Sequence, residues 1–88
     1  MSAWTVLVFP SAKKAMDKMP ASVRARLRVA IEALGENPHG PNSRKLAGWE
    51  TRWRVRVGDY RIIYDVDGGR LVIEVVHAAH RREVYRGY

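Results

Sequence analysis

Arginine is the residue of this 88-residue sequence best suited to chemistry. Arg52, Arg54 and Arg56 alternate with apolar residues, and Arg61 follows them after a short turn motif. A guanidinium group donates paired hydrogen bonds to phosphate or carboxylate and stays protonated at physiological pH. These side chains can therefore bind an anion or stabilise the negative charge of a transition state, but they cannot accept a proton.

The basic C-terminal segment, His80–Arg86, adds side chains that arginine cannot replace. It carries His80 and Tyr85 beside Arg81 and Arg82. Such a set suits metal-free attack by an RNA 2′-hydroxyl on its own phosphate, because guanidinium groups stabilise the added negative charge. Tyr85 or His80 would then transfer the proton or stack on a base.

Composition argues against several other kinds of chemistry. The chain has no cysteine, and its three histidines are scattered without paired acidic residues, so no disulfide, thiol nucleophile or zinc site is expected. There is also no Walker loop, no Gly-x-Gly-x-x-Gly motif and no nucleophile elbow. The sequence therefore predicts no metal or other cofactor.

The charge of the chain indicates its partners. Sixteen Lys and Arg against nine Asp and Glu give a net charge of +7 and a pI near 10.4. A small domain this basic attracts RNA, DNA or an acidic protein. Membrane is a weaker candidate, because the basic residues do not lie on one amphipathic helix. Without an 18-residue apolar run or a signal peptide, the chain is expected to be cytoplasmic.

A hairpin must position the first group of arginines. The period-2 pattern of Trp53–Val57 predicts a strand with one buried face, and Gly58-Asp59 predicts a two-residue turn. This turn places Arg56 opposite Arg61. Like charges in that position destabilise a hairpin, and an anion bound between them would remove the conflict. On the hairpin alone, an ordinary solvated polar face is an equally good interpretation.

The N-terminal half is predicted to contain one strand and two helices. Trp4–Phe9 is a compact apolar run that indicates a buried strand. Ser11 is expected to cap the first helix, and the second helix is expected to begin near Pro20 and to be capped by Gly35. Apolar residues at i, i+3, i+4 and i+7 give each helix one buried stripe, so the two helices form an αα-hairpin.

The C-terminal half is predicted to be a three-stranded antiparallel meander. Asn37–Gly48 is expected to be a loop, because it is rich in Gly, Pro and Asn. A turn at Gly68-Gly69 and a last strand at Leu71–Ala78 would place Tyr64 opposite Ile73. The helices would then cover one continuous face, formed by Trp53, Val55, Ile62, Tyr64, Ile73 and Val75. The predicted fold class is α+β, a single domain spanning residues 1–88 with a short basic tail.

The last strand would end beside the first hairpin turn. This brings Arg81 and Tyr85 toward Arg56 and Arg61, so that basic residues from two distant segments converge. The same register places His77 on the helix side of the sheet, where it would be a packed structural residue.

With this order of elements, the sequence resembles the RelE toxins of prokaryotic toxin-antitoxin systems. The resemblance rests on KLAG at Lys45–Gly48, WRVRVGDYRIIYDV at Trp53–Val66 and HRREVYR at His80–Arg86. It covers nearly the whole chain. Together these motifs are typical of the RelE/ParE superfamily and favour its RelE branch.

The resemblance implies an endoribonuclease that cleaves mRNA in the ribosomal A site. It also implies an acidic, RelB-like antitoxin that wraps the toxin, in a complex such as a heterotetramer. The residues matched to catalytic positions are Arg56, Arg61, Arg81 and Tyr85, and those matched or assigned to RNA contacts are Lys45, Arg54, Arg56, His80 and Arg82. Known members have lysines where this chain has Arg54 and Arg56, so Tyr85 is preferred to His80 as general base. Arg82 is an alternative to Arg81 in the tail.

Two other functions remain open from the sequence. A ParE-like toxin would bind DNA gyrase with the same fold, although ParE-like chains lack the combination of Arg61, Arg81 and Tyr85. A non-catalytic RNA-binding module would need the basic face but not Tyr85.

Overall fold

The computed structural model describes residues 3–82, which form two helices and a five-stranded sheet. In chain order the elements are β1 (Thr5–Val8), α1 (Pro10–Asp17), α2 (Ala21–Glu36), β2 (Ser43–Lys45), β3 (Arg52–Val57), β4 (Tyr60–Asp67) and β5 (Val72–His80). The strand order is β1-β5-β4-β3-β2, and both helices pack on one face of the sheet. The predicted α+β class is confirmed, with one strand more than predicted. Neither described helix is long and apolar enough to cross a membrane.

The hairpin of β3 and β4 has the predicted register. Trp53 pairs with Tyr64, and Arg56 pairs with Arg61 across the sheet. Gly58 has a φ of 59°, which an L side chain rarely adopts. The guanidinium of Arg26, from α2, also lies where a Cβ on this residue would stand. The backbone conformation therefore favours glycine at this turn, whereas the flexible Arg26 side chain could move aside for a Cβ.

The predicted register of the second hairpin is wrong. Tyr64 pairs with Val75 rather than Ile73, because the connection between β4 and β5 is longer than the two glycines and includes Leu71 at a φ of 54°. A β-bulge then leaves Val76 without a partner on β4. The register shift before the bulge is even, so the core face keeps its predicted residues. Beyond the bulge, the alternation of β5 is inverted.

Strand β1 is an edge strand rather than the predicted buried one. It pairs in parallel with β5, and Leu7 and Val8 are each 44% exposed. Val6 faces the helices and packs on the core. The apolar run correctly predicts a strand but not its position, because composition alone does not distinguish an edge strand from a central strand of a sheet.

Two predicted helix caps are also wrong. Helix α1 begins at Pro10, so Ser11 lies in the first turn, and its hydroxyl donates to the carbonyl of Val76 at 2.6 Å. Helix α2 continues to Glu36, and Gly35 is buried. The Trp4 amide donates to the Gly35 carbonyl at 3.2 Å, which ties the start of the chain to the end of α2.

The segment Asn37–Gly48, predicted to be a loop, contains β2. Ser43–Lys45 pairs antiparallel with β3, and Arg44 lies opposite Arg54. Three consecutive polar residues carry no strand pattern of their own, and pairing with β3 makes them a strand. The buried phenol of Tyr64 donates to the Pro38 carbonyl at 2.6 Å and so holds this segment against the sheet.

The core lies between the helices and the predicted face of the sheet. Ile62, Tyr64, Ile73 and Val75 are fully buried, while Trp53 and Val55 are half-buried and pack against them. The helical residues of the core are Ala12, Leu27, Ile31 and Leu34. The core contains no buried charged residue among those described.

Replacing Ile62 tests this packing. Ile62→Ala is expected to lower the free energy of unfolding by about 2 to 5 kcal/mol, because it leaves a cavity at a fully buried position. Val29→Ala, at a side chain of α2 that is 66% exposed, should change it by less than about 0.5 kcal/mol. Urea denaturation of both variants measures the difference. Equal stability of Ile62→Ala and the wild type would contradict the face assignment.

Candidate nucleic-acid interface

The face of the sheet opposite the helices carries the arginines, and we call it the open face. Side chains alternate along a strand, so Arg54 and Arg56 project from β3 away from the core residues Trp53 and Val55. Arg61 of β4 lies opposite Arg56 and projects to the same side. The like-charged pair predicted from the turn is thus present.

Strand β2 adds a further arginine to the open face. Arg44 pairs with Arg54, so the two side chains project to the same side. A depression of about 120 Å³ lies between them and is lined by Arg44, Arg54, Arg56, Pro41 and Asn42. At roughly 30 Å³ per water molecule, this volume is enough for a phosphate group. Three of its lining residues can donate charge-assisted hydrogen bonds to such an anion.

Arg81 reaches the same group from the end of β5. Its amide donates to the Asp59 carbonyl at 2.6 Å, which attaches the basic segment to the first hairpin turn. Its guanidinium lies 3.6 Å from the Asp59 carboxylate, but both side chains are more than half exposed. Such a pair is well solvated and contributes little stability. We call Arg44, Arg54, Arg56, Arg61 and Arg81 the arginine cluster.

Electrostatics show that the cluster acts on Arg61. The pKa of Arg61 is lowered, first by its partial burial and then by the charges of Arg54, Arg56 and Arg81. The predicted approach of Arg81 to Arg56 and Arg61 is therefore present in the structure. Arg61 remains protonated at neutral pH, but the folded protein holds this charge at a cost that a bound anion would offset.

An apolar floor contributes to this partial burial. Ile63 pairs with Arg54 on one side and His77 on the other, and it is fully buried although it points away from the helices. The guanidinium groups thus stand over a region of low polarity, where their interaction with an anion is stronger than in water.

The other end of the open face is neutralised. Arg52 donates two hydrogen bonds of 2.9 Å to the carboxylate of Asp65, which lies opposite it on β4. Both side chains are largely buried, and Trp49 stacks on the guanidinium at 4.1 Å. Glu74 lies opposite Asp65 on β5. A polyanion would therefore bind at the end of the face near the first hairpin turn.

Two predicted RNA-contacting residues lie apart from the arginine cluster. Lys45 pairs with Trp53, so it projects toward the helix side of the sheet. His80 pairs with Tyr60, and their rings meet edge to face at 5.1 Å on that same side. His77, predicted to lie on the helix side of the sheet, pairs instead with Ile63, because the longer turn and the bulge change the register.

The tail is described only in part. Arg82 is exposed, and its amide donates to Nδ1 of His80 at 3.1 Å. This hydrogen bond requires Nδ1 to be the unprotonated nitrogen, so that lone pair is occupied and His80 is a poor general base in this arrangement. Tyr85, the preferred general base, lies outside the described residues.

Arg44 is the functional candidate that sequence reasoning did not select. The KLAG motif drew attention to its neighbour Lys45, whereas the pairing of β2 with β3 places Arg44 on the open face. Only the register of β2 could have revealed this, because adjacent residues of a strand project to opposite faces.

Comparison with known proteins gives consistent matches. A family model described as the ParE toxin of the type II toxin-antitoxin system, parDE, matches residues 6–85. Toxin RelE3 of Methanocaldococcus jannaschii is 30% identical over 77 residues, which cover 82% of this chain and 84% of that protein. Toxin RelE of Mycobacterium tuberculosis is 28% identical over 82 residues, which cover 92% of this chain and 84% of that protein.

A solved structure has the same fold. The archaeal RelE-RelB complex from Pyrococcus horikoshii OT3 contains a chain that is 27% identical with a TM-score of 0.80. The alignment covers 96% of this chain and 100% of that chain. The region matched by the family model includes the whole arginine cluster and Tyr85.

If the arginine cluster is an anion site, Arg61→Ala should not destabilise the folded protein. Folding lowers the pKa of Arg61, so the folded protein binds this proton less tightly than the unfolded chain does. The charged Arg61 side chain therefore lowers the stability of the folded protein. This cost is fully present at neutral pH, where the side chain is protonated in both states. The variant should therefore be as stable as the wild type or slightly more stable, within about 0.5 kcal/mol. Inorganic phosphate should raise the melting temperature of the wild type more than that of the variant.

Arg70→Ala is the matched control for lost charge, since Arg70 is exposed in the distant second turn. It should respond to phosphate like the wild type. Thermal unfolding in phosphate and in chloride of equal ionic strength measures the effect. An unfolded Arg61→Ala, or one stabilised by phosphate as much as the wild type, would refute the anion site.

Proposed function

This chain belongs to the RelE family of type II toxin-antitoxin toxins, within the RelE/ParE superfamily, and on that basis we propose that it is an mRNA interferase. In this proposal it cleaves mRNA in the A site of the ribosome and so stops translation in the cytoplasm. The observation that supports the proposal best is the geometry of the arginine cluster, in which Arg56 lies opposite Arg61 and the backbone of Arg81 is attached to the same hairpin turn.

The proposed reaction is an intramolecular transfer of phosphate. The 2′-oxygen of one nucleotide attacks the adjacent phosphorus, a bond from phosphorus to the 2′-oxygen forms, and the bond to the 5′-oxygen breaks. A base removes the proton of the 2′-hydroxyl, and an acid delivers a proton to the departing 5′-oxygen. The products carry a 2′,3′-cyclic phosphate and a 5′-hydroxyl.

Arginine supplies the electrostatic part of this reaction. The phosphorane transition state has more negative charge than the substrate, so Arg56, Arg61 and Arg81 would stabilise it more strongly than the bound RNA. Arg44 and Arg54 would hold a neighbouring phosphate in the depression between β2 and β3. None of these groups can transfer the protons.

Proton transfer is proposed for Tyr85. Nδ1 of His80 already accepts the Arg82 amide, and its ring packs on Tyr60 on the helix side of the sheet. These contacts argue for a different role for His80. Tyr85 is four residues beyond Arg81 in the chain, which is itself attached to the hairpin turn.

The ParE-like alternative is favoured by one observation, the description of the family model that the chain matches. A gyrase-directed toxin would require a protein-binding surface but no set of arginines arranged around a phosphate. A non-catalytic RNA-binding module would use the arginine cluster without proton transfer. The two curated relatives carry the name RelE, which supports the mRNA-cleaving proposal over both.

Cleavage on programmed ribosomes is the decisive measurement. Arg61→Ala should reduce the single-turnover rate by roughly 10² or more, as expected when a preorganised donor to a developing oxyanion is lost. Arg70→Ala should cleave at the wild-type rate, since Arg70 lies in the second turn, outside the cluster. An mRNA with one 2′-deoxynucleotide at the cut should resist cleavage there, because the attacking oxygen is missing.

Tyr85→Phe separates the two roles of the tyrosine in the same assay. A large loss of rate implicates the hydroxyl, and a small loss implicates stacking by the ring. Wild-type activity of Arg61→Ala, or DNA damage with intact transcripts after induction in cells, would contradict the proposed function.

We also propose that an acidic antitoxin neutralises the toxin by covering the arginine cluster. The net charge of +7 favours fast, salt-sensitive association with an acidic segment. The burial of Ile63 means that this partner would contact guanidinium groups rather than an apolar strip at the centre of the open face.

Salt dependence tests this second proposal. Binding to the acidic protein encoded beside this gene should weaken as salt rises, with a smaller dependence for a variant combining Arg54→Ala and Arg56→Ala. Calorimetry at several salt concentrations measures both slopes. The absence of an acidic neighbouring gene and of any copurifying partner would contradict the proposal.

A further inference from the structure

A second cleft lies on the helix side of the sheet, at the same end as the arginine cluster. It has a volume of about 420 Å³ and lies between the turn joining the two helices and the ends of β4 and β5. Its lining residues include Lys18, Met19, Pro20, Tyr60, Ala78 and His80. We call it the ring cleft, because the Tyr60 and His80 rings belong to its wall.

The alternation of strand residues connects the ring cleft to the arginine cluster. Tyr60 is followed by Arg61, and His80 is followed by Arg81. Consecutive Cα atoms are about 3.8 Å apart, and successive side chains in β4 project to opposite faces. The rings and the guanidinium groups thus stand on the two faces of the sheet at the same end of β4 and β5. A nucleotide bound around this end would place its phosphate on one side and its base on the other.

The chemistry of the ring cleft fits a flat heteroaromatic group. The Tyr60 and His80 rings are nearly perpendicular, at an interplanar angle of 89°, so their packing presents one ring face beside the edge of the other. The side chains of Met19 and Ala78 provide apolar surface. A nucleobase can stack on such surfaces and still form hydrogen bonds at its edges.

The ring cleft also has hydrogen-bond donors for the edge of a base. Lys18 contributes an ammonium group with three donors. Bases differ in the acceptors on their edges, so donors at defined positions distinguish one base from another.

We propose that the ring cleft binds one base of the mRNA, in the nucleotide whose phosphate is held by Arg61 and Arg81. This inference rests on the proposed function, because it assumes that RNA is the substrate of the arginine cluster. It assigns His80 to base recognition rather than to proton transfer. The consequence is that residues outside the cluster influence which codon is cleaved.

Binding is tested directly, without ribosomes, by NMR titration with the four ribonucleoside 5′-monophosphates. The ring signals of Tyr60 and His80 should shift in a saturable way with at least one nucleotide, and inorganic phosphate should not reproduce the shifts. His39 is the internal control, because its ring packs against Trp53 at 4.5 Å, outside the lining of the ring cleft. No saturable shift with any nucleotide, or equal shifts with phosphate alone, would overturn the inference.

Specificity is tested by cleavage of ribosome-bound mRNAs that differ in one base of the A-site codon. Lys18→Met, which keeps the aliphatic stem but loses the donors, and His80→Ala, which removes a stacking ring, should each change the ratio of rates between two codons by about fivefold, the effect of one lost hydrogen bond or of weakened stacking. Lys14→Met, at an exposed position of α1 outside the ring cleft, should leave the ratios unchanged.

The two experiments separate the inference from the function on which it rests. Unchanged codon ratios for both variants, in an assay where the wild type cleaves, would overturn base recognition and leave the nuclease proposal intact. A wild-type protein that cleaves no mRNA would overturn the proposed function, and the titration would then decide whether the ring cleft binds a base.

Discussion

The hydrogen bond from the buried Tyr64 phenol to the Pro38 carbonyl is the constraint on which the open face depends. A fully buried hydroxyl without a partner would be costly, so the segment after α2 is held where its carbonyl meets Tyr64. Burial raises the pKa of Tyr64, an effect partly offset by a hydrogen bond with Ser43, the first residue of β2. The same side chain thus fills the core and fixes the edge strand. It thus supports the pairing with β3 that places Arg44 opposite Arg54.

The arginine cluster shows how function and stability oppose each other in this small sheet. The core on the helix side has no buried charge among the described residues, whereas the open face brings five like charges together around a buried isoleucine. Charge neutralisation by Asp65 is confined to Arg52, at the far end of the face. The open face thus has a neutral end and a basic end, and a polyanion would bind at the basic end.

The sequence predicts some registers well and others poorly, for physical reasons. The first hairpin is predictable because a two-residue turn at Gly58-Asp59 fixes how the flanking strands pair. The position of Arg56 opposite Arg61 follows from that pairing. The second is not, because Leu71 in a left-handed conformation lengthens the connection and the bulge at Val76 inverts the alternation beyond it. Those two features move His80 away from the arginines. Likewise, strand β2 forms only because it pairs with β3. Composition therefore could not predict that Arg44 and Lys45 project to opposite faces of the sheet.

The position of β1 at the edge of the sheet has a consequence for when this protein can act. Thr5–Val8, near the start of the chain, pairs with Val72–Val75, near its end. Contacts between such distant segments form late, because closing the long loop between them costs entropy before the contacts can stabilise the chain. During synthesis β1 has no partner until β5 has been made, and β5 also carries Arg81 to the hairpin turn. A nascent chain therefore lacks both a complete sheet and a complete cluster, and the arginines can converge only after β5 has been released from the ribosome.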